Sequence, residues 1–202
     1  MQGSALGPLL FSLLISDLKA ISNENLLVKF ADDVSVCSPE SSSTPLHLEV
    51  EHIRVWATSN GLLLNSLKTK EIVFSLPRFE KLAPPPLLHG IERVLSAKLL
   101  GINLSARLPS SSTLHCDAVV GSCVRQMFLL RYFKVRGLNR AALCILYHAL
   151  ILSRVTYAIS AWGGFVSSHD KSRIDSLLRR CCKFGYASNC DSFDALLASS
   201  AA

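Results

Sequence analysis

Two adjacent aspartates, Asp32 and Asp33, constrain the fold of this chain more than any other feature of its sequence. They separate two short apolar runs, Leu26 to Ala31 and Val34 to Cys37, which are rich in β-branched or aromatic residues. Runs of this length that are broken by Asp predict a β-hairpin with the acids at or near its turn. Because adjacent carboxylates repel one another, the pair must face water or a cation. A solvated turn and a cation-binding site both fit the pattern.

Positive charge is concentrated in the second half of the chain, although the whole protein carries a net charge of only +6. Residues 107–183 contain twelve Lys or Arg and three Asp or Glu, whereas residues 1–106 contain nine and ten. This excess of cations predicts contact with a polyanion, of which a nucleic-acid backbone is the simplest. A well-solvated helical surface would have the same composition.

The seven cysteines form no C-x-x-C pair and have no zinc-ligand spacing with the six histidines. Their odd number favours a reducing compartment over a disulfide framework, and Cys123 and Cys144 are predicted core residues. The apolar segment at residues 9–15 lacks the basic flank and cleavage site of a signal peptide, and the one at residues 141–152 is too short to cross a membrane. We therefore expect an intracellular protein of the nucleus or cytoplasm that is not secreted.

Strand and helix signals alternate in the first half of the chain, and helical periodicity takes over from residue 108. In the first half we predict a helix over residues 9–18 with Pro8 at its first position, a helix between the N-cap Thr44 and the stop signal Asn60-Gly61, and a strand over residues 71–76. Residues 99–104 predict either one strand or a hairpin with Gly101 near its turn. In the second half we predict helices over residues 116–134, 140–161 and 170–184, followed by an Ala/Ser-rich tail. The predicted domains are residues 1–106, 107–190 and 191–202, with the first boundary near Pro109.

A series of short motifs follows one another along residues 2–183. They are Gln2-Gly3-x-x-x-Gly7-Pro8, Phe30-Ala31-Asp32-Asp33, Trp56, Asn60-Gly61-Leu62, Leu64-Asn65-x-x-Lys68-Thr69, Lys98-Leu99-Leu100-Gly101-Ile102, Leu146-Tyr147-His148-Ala149-Leu150 and Tyr157 to Trp162. In this order the motifs resemble the reverse transcriptase of non-LTR (LINE-type) retrotransposons, from the middle of the palm onward. The resemblance implies an α+β fold: a partial polymerase palm of short antiparallel strands with packed helices, then an all-α thumb-like region.

The resemblance also implies a function for individual residues. Asp32 and Asp33 match the catalytic, metal-binding acids of an RNA-directed DNA polymerase, whose complete site holds two Mg²⁺ ions. Gln2 and Gly3 match a loop that lies against the template and the incoming nucleotide. Lys68 matches a lysine near the triphosphate, although a surface lysine at the start of a strand fits equally well.

The implied partners are an RNA template, a DNA primer and deoxynucleoside triphosphates; neither a membrane nor a protein partner is indicated. Leu100 and Gly101 fall in the primer-grip region. The helical part would contact the nucleic-acid backbone without regard to sequence. The residues that we assign to this contact are Arg173, Arg179, Arg180 and Lys183.

The family builds its site from three aspartates, of which the first lies upstream of the Gln2-Gly3 loop. We therefore expect this chain to be a fragment of a reverse transcriptase domain, without fingers and without polymerase activity of its own. One alternative is a non-catalytic, nucleic-acid-binding remnant of a mobile element. Another is a chain that does not fold stably, because the missing strands would leave a sheet edge unpaired.

Overall fold

The computed structural model describes residues 6–75, 84–107 and 111–200, and its helices and antiparallel strand pairs confirm the predicted α+β class. The chain forms two compact units. The N-terminal unit comprises Met1–Glu71 and Pro86–Glu92, and the C-terminal unit comprises Ile72–Pro85 and Arg93–Ala202. The domain bounds predicted from the sequence stay a prediction, and Pro109 lies outside the described residues.

The N-terminal unit contains two helices, a hairpin and a short strand pair. Its elements are α1 (Leu6–Leu14), a 3₁₀ turn (Ile15–Asp17), β1 (Leu26–Phe30), β2 (Asp33–Cys37), α2 (Leu46–Ser59) and β3 (Lys70–Glu71). The last pairs with β4 (Glu92–Arg93), of which Glu92 belongs to this unit. Because α1 begins at Leu6, Pro8 lies inside the first turn, where the missing N–H is tolerated, and not at the predicted first position. The strand predicted over residues 71–76 is shorter: Ser75 makes one isolated bridge, to Arg107, and Leu76 is outside the described residues.

Helix α2 begins one residue later than the sequence suggests and ends where the sequence predicts. Pro45, in an extended conformation, is the N-cap, so Thr44 does not cap the helix. At the other end Gly61 has a φ of +69°, the Leu62 N–H donates to the Ala57 carbonyl at 2.8 Å, and the Gly61 N–H donates to the Thr58 carbonyl at 3.1 Å. These two bonds form a Schellman motif and confirm the Asn60-Gly61 stop signal.

The C-terminal unit combines a hairpin with a helical core. Its elements are β5 (Ser96–Leu99), β6 (Ile102–Ser105), α3 (Ser111–Val135), α4 (Arg140–Tyr147), a π-helical segment (His148–Leu152), α5 (Ser153–Thr156), α6 (Ile159–Trp162), a 3₁₀ turn (Gly163–Phe165), α7 (Ser168–Lys183) and α8 (Phe193–Ser200). The hairpin alternative for residues 99–104 is therefore confirmed, as are the three helical regions. The second region is not one uniform helix, because it changes to π geometry and then breaks at Ala158, where φ is +47°.

The core of the C-terminal unit forms along a stripe in which every fourth residue from α4 to α6 is buried: Leu143, Tyr147, Ile151, Val155 and Ile159. A stripe of this period requires a helix that packs along one face. Within the described residues, Arg140–Phe165 is the only helical stretch that is long and apolar enough to cross a membrane, a test that core helices also pass. Of its most apolar window 28% is buried, and the buried stripe is the face that packs on the core.

The predicted Ala/Ser-rich tail contains helix α8, which the composition does not indicate. Phe193 at its start is fully buried, with its ring centroid 5.6 Å from that of Trp162. The Phe193 N–H also donates to Asp175 Oδ1 at 2.7 Å. One buried aromatic residue and one capping carboxylate thus attach the tail to the core, where burial of an aromatic side chain is worth about 2 to 3 kcal/mol.

Candidate functional site

The acidic pair lies at the tip of the β1–β2 hairpin, as the sequence predicts. The strands are antiparallel, and Phe30 is opposite Asp33, so that Ala31 and Asp32 form the turn. Asp33 is the first residue of β2, and both aspartates are exposed. The hairpin therefore presents two carboxylates to solvent on a short, tightly paired support.

Ala31 gives this tip an unusual backbone. Its φ of +50° is in the left-handed region, which costs a residue with a Cβ about 1 to 2 kcal/mol. Strained residues of this kind concentrate at functional sites, where the surrounding structure holds them in place. The strained residue, Ala31, directly precedes Asp32 and fixes the direction in which the chain turns there.

Lys29 anchors the same hairpin, a role that we did not predict. Its Nζ donates to the carbonyl oxygens of Ile15 at 2.7 Å and Leu18 at 2.9 Å, so its charge caps the 3₁₀ turn after α1. A lysine within an otherwise apolar strand was the available signal. The ammonium group thus ties β1 to the preceding helix.

The donor set at the tip fits part of a magnesium site. Carboxylate oxygens are the ligands that Mg²⁺ prefers, and Asp32 and Asp33 offer them from adjacent residues. In the described part of the chain no group of three or more His, Cys, Asp or Glu residues could hold a metal. Two acids alone would leave most of the coordination sphere to water and substrate phosphates.

The other predicted nucleotide-binding residues are only partly described. Gln2 and Gly3 lie outside the described residues. Lys68 is exposed in a turn of the N-terminal unit, where its backbone N–H donates to Asn65 O at 3.1 Å and Asn65 Oδ1 at 3.2 Å. This turn fixes the Lys68 backbone while its side chain faces solvent.

In the C-terminal unit, Leu100 and Gly101 form the two-residue turn of the β5–β6 hairpin. Their φ values of +45° and +88° are those of a type I′ turn, which matches the twist of the paired strands. Tyr157 Oη donates to Leu100 O at 2.9 Å, and a Cβ at Gly101 would lie 3.1 Å from Tyr157 Cε1. Tyr157 therefore packs directly on the turn, a contact that sequence spacing cannot show.

An apolar cavity of about 350 Å³ lies beside this hairpin, between Leu100, Ile102 and Trp162 among others. His115 lines it, and its Nδ1 accepts the Asn103 N–H at 3.3 Å. Burial, together with the positive charge of Lys98, lowers the pKa of His115, so the imidazole is neutral at physiological pH. The cavity belongs to the packing between hairpin and helices.

The four cations predicted to contact the nucleic-acid backbone differ in their surroundings. Arg179, Arg180 and Lys183 are exposed near the C-terminal end of α7, where positive charge also complements the helix dipole. Arg173 instead donates to Asp117 Oδ1 at 2.7 Å and Asp170 Oδ1 at 2.8 Å. Its guanidinium is held by these two carboxylates while its side chain stays 35% exposed, and its contact with phosphate stays a prediction.

Comparison with known proteins adds an independent finding. The sequence model described as "Reverse transcriptase (RNA-dependent DNA polymerase)" matches residues 1–104. Two curated Drosophila melanogaster proteins align over 90% of the chain, "Probable RNA-directed DNA polymerase from transposon BS" at 28% identity and "Probable RNA-directed DNA polymerase from transposon X-element" at 26%. The chain spans 21% of the length of each of these relatives. No solved structure matches it significantly.

Proposed function

Because the chain belongs to the reverse transcriptase (RNA-dependent DNA polymerase) family, we propose that its hairpin tip supplies two of the carboxylates for RNA-directed DNA polymerisation. The observation that carries this proposal is the exposure of Asp32 and Asp33, side by side, at the tip of β1–β2. The family membership confirms the resemblance of the motif order, and the roles of the individual residues are our inference.

Asp32 and Asp33 would hold the divalent metal, for which Mg²⁺ is the best match to hard carboxylate donors. When bound, the metal ions supply charge stabilisation at the attacking and leaving oxygens of nucleotidyl transfer. The protein contributes a rigid position for the acids, through the strained Ala31 turn and the Lys29 anchor. Lys68 would add positive charge near the triphosphate, with RNA template and DNA primer as the other partners.

Metal binding by the acidic pair can be tested without any polymerase activity. We expect Mn²⁺, a spectroscopic substitute for Mg²⁺, to bind the purified chain and to be lost in Asp32→Asn/Asp33→Asn, as followed by paramagnetic resonance. The control Glu40→Gln/Asp191→Asn removes the same charge from two other exposed acids. Equal loss in both double variants would show that the tip is not a metal site.

We further propose that the 202-residue chain does not polymerise by itself. The described residues contain no cluster of three acids, whereas the family resemblance implies a three-aspartate site. Primer extension by the purified chain should therefore be absent with either Mg²⁺ or Mn²⁺. Nucleotide incorporation that disappears in Asp32→Ala would refute this proposal.

A second candidate function is nucleic-acid binding without catalysis, which the exposed Arg179, Arg180 and Lys183 on α7 favour. Replacement of all three by Gln should weaken duplex binding and reduce its salt dependence. Under the binding-only function, Asp32→Asn/Asp33→Asn should leave nucleic-acid affinity the same with and without divalent metal. A metal-dependent change that is lost in this variant would favour the polymerase function.

A further inference from the structure

The outward face of α3 carries a row of side chains that the proposed polymerase chemistry does not use. The opposite face of this helix is buried through Cys123, Met127 and Leu130. Residues three or four positions apart are neighbours on a helix surface, so a row with this spacing forms one continuous surface. We call it the α3 row, and its members are the exposed residues Arg125, Phe128 and Tyr132 of α3 and Arg136, the first residue after the helix.

Two aromatic rings occupy the middle of the α3 row. Phe128 is 69% exposed and Tyr132 is 47% exposed, one helical turn apart. The Arg136 guanidinium carbon lies 4.9 Å from the centre of the Tyr132 ring, within cation–π distance. The rings are thus open to solvent and flanked on both sides by arginine.

The stretch of sequence that carries the α3 row is strongly basic. The sequence has no Asp or Glu between Asp117 and Asp170, and Asp117 itself is paired with Arg173. Lys134 does not belong to the row, because residues two positions apart do not share a helix face. Its Nζ donates to Phe184 O at 2.7 Å. A helix surface with exposed arginines in a basic stretch of sequence attracts a polyanion.

We propose that the α3 row binds single-stranded nucleic acid, with unpaired bases stacked on Phe128 and Tyr132 and phosphates contacted by Arg125 and Arg136. Stacking on exposed rings suits unpaired bases, because duplex bases already cover one another's faces. The row extends over about 16 Å of helix axis. This inference rests on the proposed function in taking nucleic acid as the partner, and it adds the strandedness and the residues.

The test uses the full 202-residue chain and fluorescence anisotropy with a labelled oligo-dT strand and a labelled duplex. Phe128→Ala/Tyr132→Ala should raise the Kd for the single strand about tenfold or more, since each stacked base contributes substantially. The Kd for the duplex should change by less than about twofold, because phosphate contacts dominate duplex affinity. Phe128→Trp/Tyr132→Trp should retain single-strand binding.

Two controls separate stacking from other effects. Ile145→Ala removes a 68% exposed apolar side chain from α4 and should leave both Kd values unchanged. Arg125→Gln/Arg136→Gln should weaken binding of both nucleic acids and reduce the salt dependence. All substituted side chains are exposed, and circular dichroism melting checks that the fold is retained.

The proposal would be overturned by unchanged single-strand affinity in Phe128→Ala/Tyr132→Ala, by an equal loss in Ile145→Ala, or by an intact chain that binds no oligo-dT. If Phe128→Ala/Tyr132→Ala lost binding to phosphatidylserine vesicles but kept its affinity for oligo-dT, the α3 row would be assigned to a membrane surface instead. Failure of the Arg179, Arg180 and Lys183 replacements to weaken duplex binding would count against the second candidate function and not against the α3 row.

Discussion

The Tyr157 hydroxyl donates a hydrogen bond to the Leu100 carbonyl oxygen over 2.9 Å, across 57 positions of the sequence. Leu100 is held there at a φ of +45°, which a residue with a branched side chain seldom adopts. Tyr157 precedes the backbone break at Ala158, so the irregular helix end points the phenol at the hairpin. The β5–β6 turn is thereby fixed by an exposed residue at the end of α5.

We predict that Tyr157→Phe loosens the β5–β6 turn without unfolding the protein. A net hydrogen bond contributes about 1 kcal/mol, and less here because Tyr157 is partly exposed. The Leu100 and Gly101 amides should exchange faster with deuterium, as followed by NMR. Tyr132→Phe, on a helix surface elsewhere in the same unit, should leave their exchange unchanged; equal exchange in both variants would contradict the assigned role.

Glu49 provides a second prediction, because its carboxylate is fully buried and bonded to the Ile21 and Ser22 N–H groups and to Asn25 Nδ2. Burial acts to raise the pKa of Glu49, but these hydrogen bonds outweigh it and hold the pKa below its usual value. Glu49→Gln turns one acceptor into a donor and should lower the free energy of unfolding by about 2 kcal/mol at neutral pH.

The pH dependence of this effect has a definite sign. The pKa of Glu49 is lower in the folded state than in the unfolded state, where it is about 4.3. The contribution of Glu49 to the free energy of unfolding is therefore complete above the unfolded-state pKa and is lost as the pH falls through the folded-state pKa. The difference in the free energy of unfolding between wild type and Glu49→Gln, measured by urea denaturation, should therefore become smaller at acidic pH. Glu51→Gln, on the exposed side of α2, should neither lower the free energy of unfolding by a comparable amount nor make it depend on pH in this way.

Arg173 joins two acids of different burial, which gives a matched pair of variants. Asp170 is buried and also accepts from Ser167 Oγ at 2.9 Å and Thr113 Oγ1 at 3.2 Å, whereas the Asp117 side chain is 51% exposed. Asp170→Ala should cost about 3 kcal/mol and Asp117→Ala less than about 1 kcal/mol. Thermal melts of both variants measure the difference, and equal costs would show that burial does not decide it.

Five of the seven thiols should react in two groups. Cys37 and Cys190 are exposed, whereas burial raises the pKa of Cys116 and Cys181 to about 12 and that of Cys123 to about 11. Since the thiolate is the reactive form, maleimide at neutral pH should modify the two exposed thiols first and the buried three only on unfolding. Mass spectrometry of the labelled chain would reveal the order, and early labelling of Cys123 would be inconsistent with this core.

Local sequence determined the features that depend on neighbouring residues. The β1–β2 hairpin, the Asn60-Gly61 stop of α2 and the three helical regions were all predicted, because turn chemistry and side-chain periodicity act within a few residues. The order of short motifs was sufficient to identify the family, even though each motif alone is common.

Only the tertiary structure decided which residues meet across long separations. It paired Arg173 with Asp117, buried the Glu49 carboxylate against the Ile21 and Ser22 N–H groups, attached the Ala/Ser-rich tail through Phe193, and directed Tyr157 to the Leu100 turn. None of these contacts has a signal at fixed spacing, because each depends on how separate elements pack. The sequence by itself thus determined the elements and the family, whereas packing decided which charges are used inside the protein and which stay on its surface.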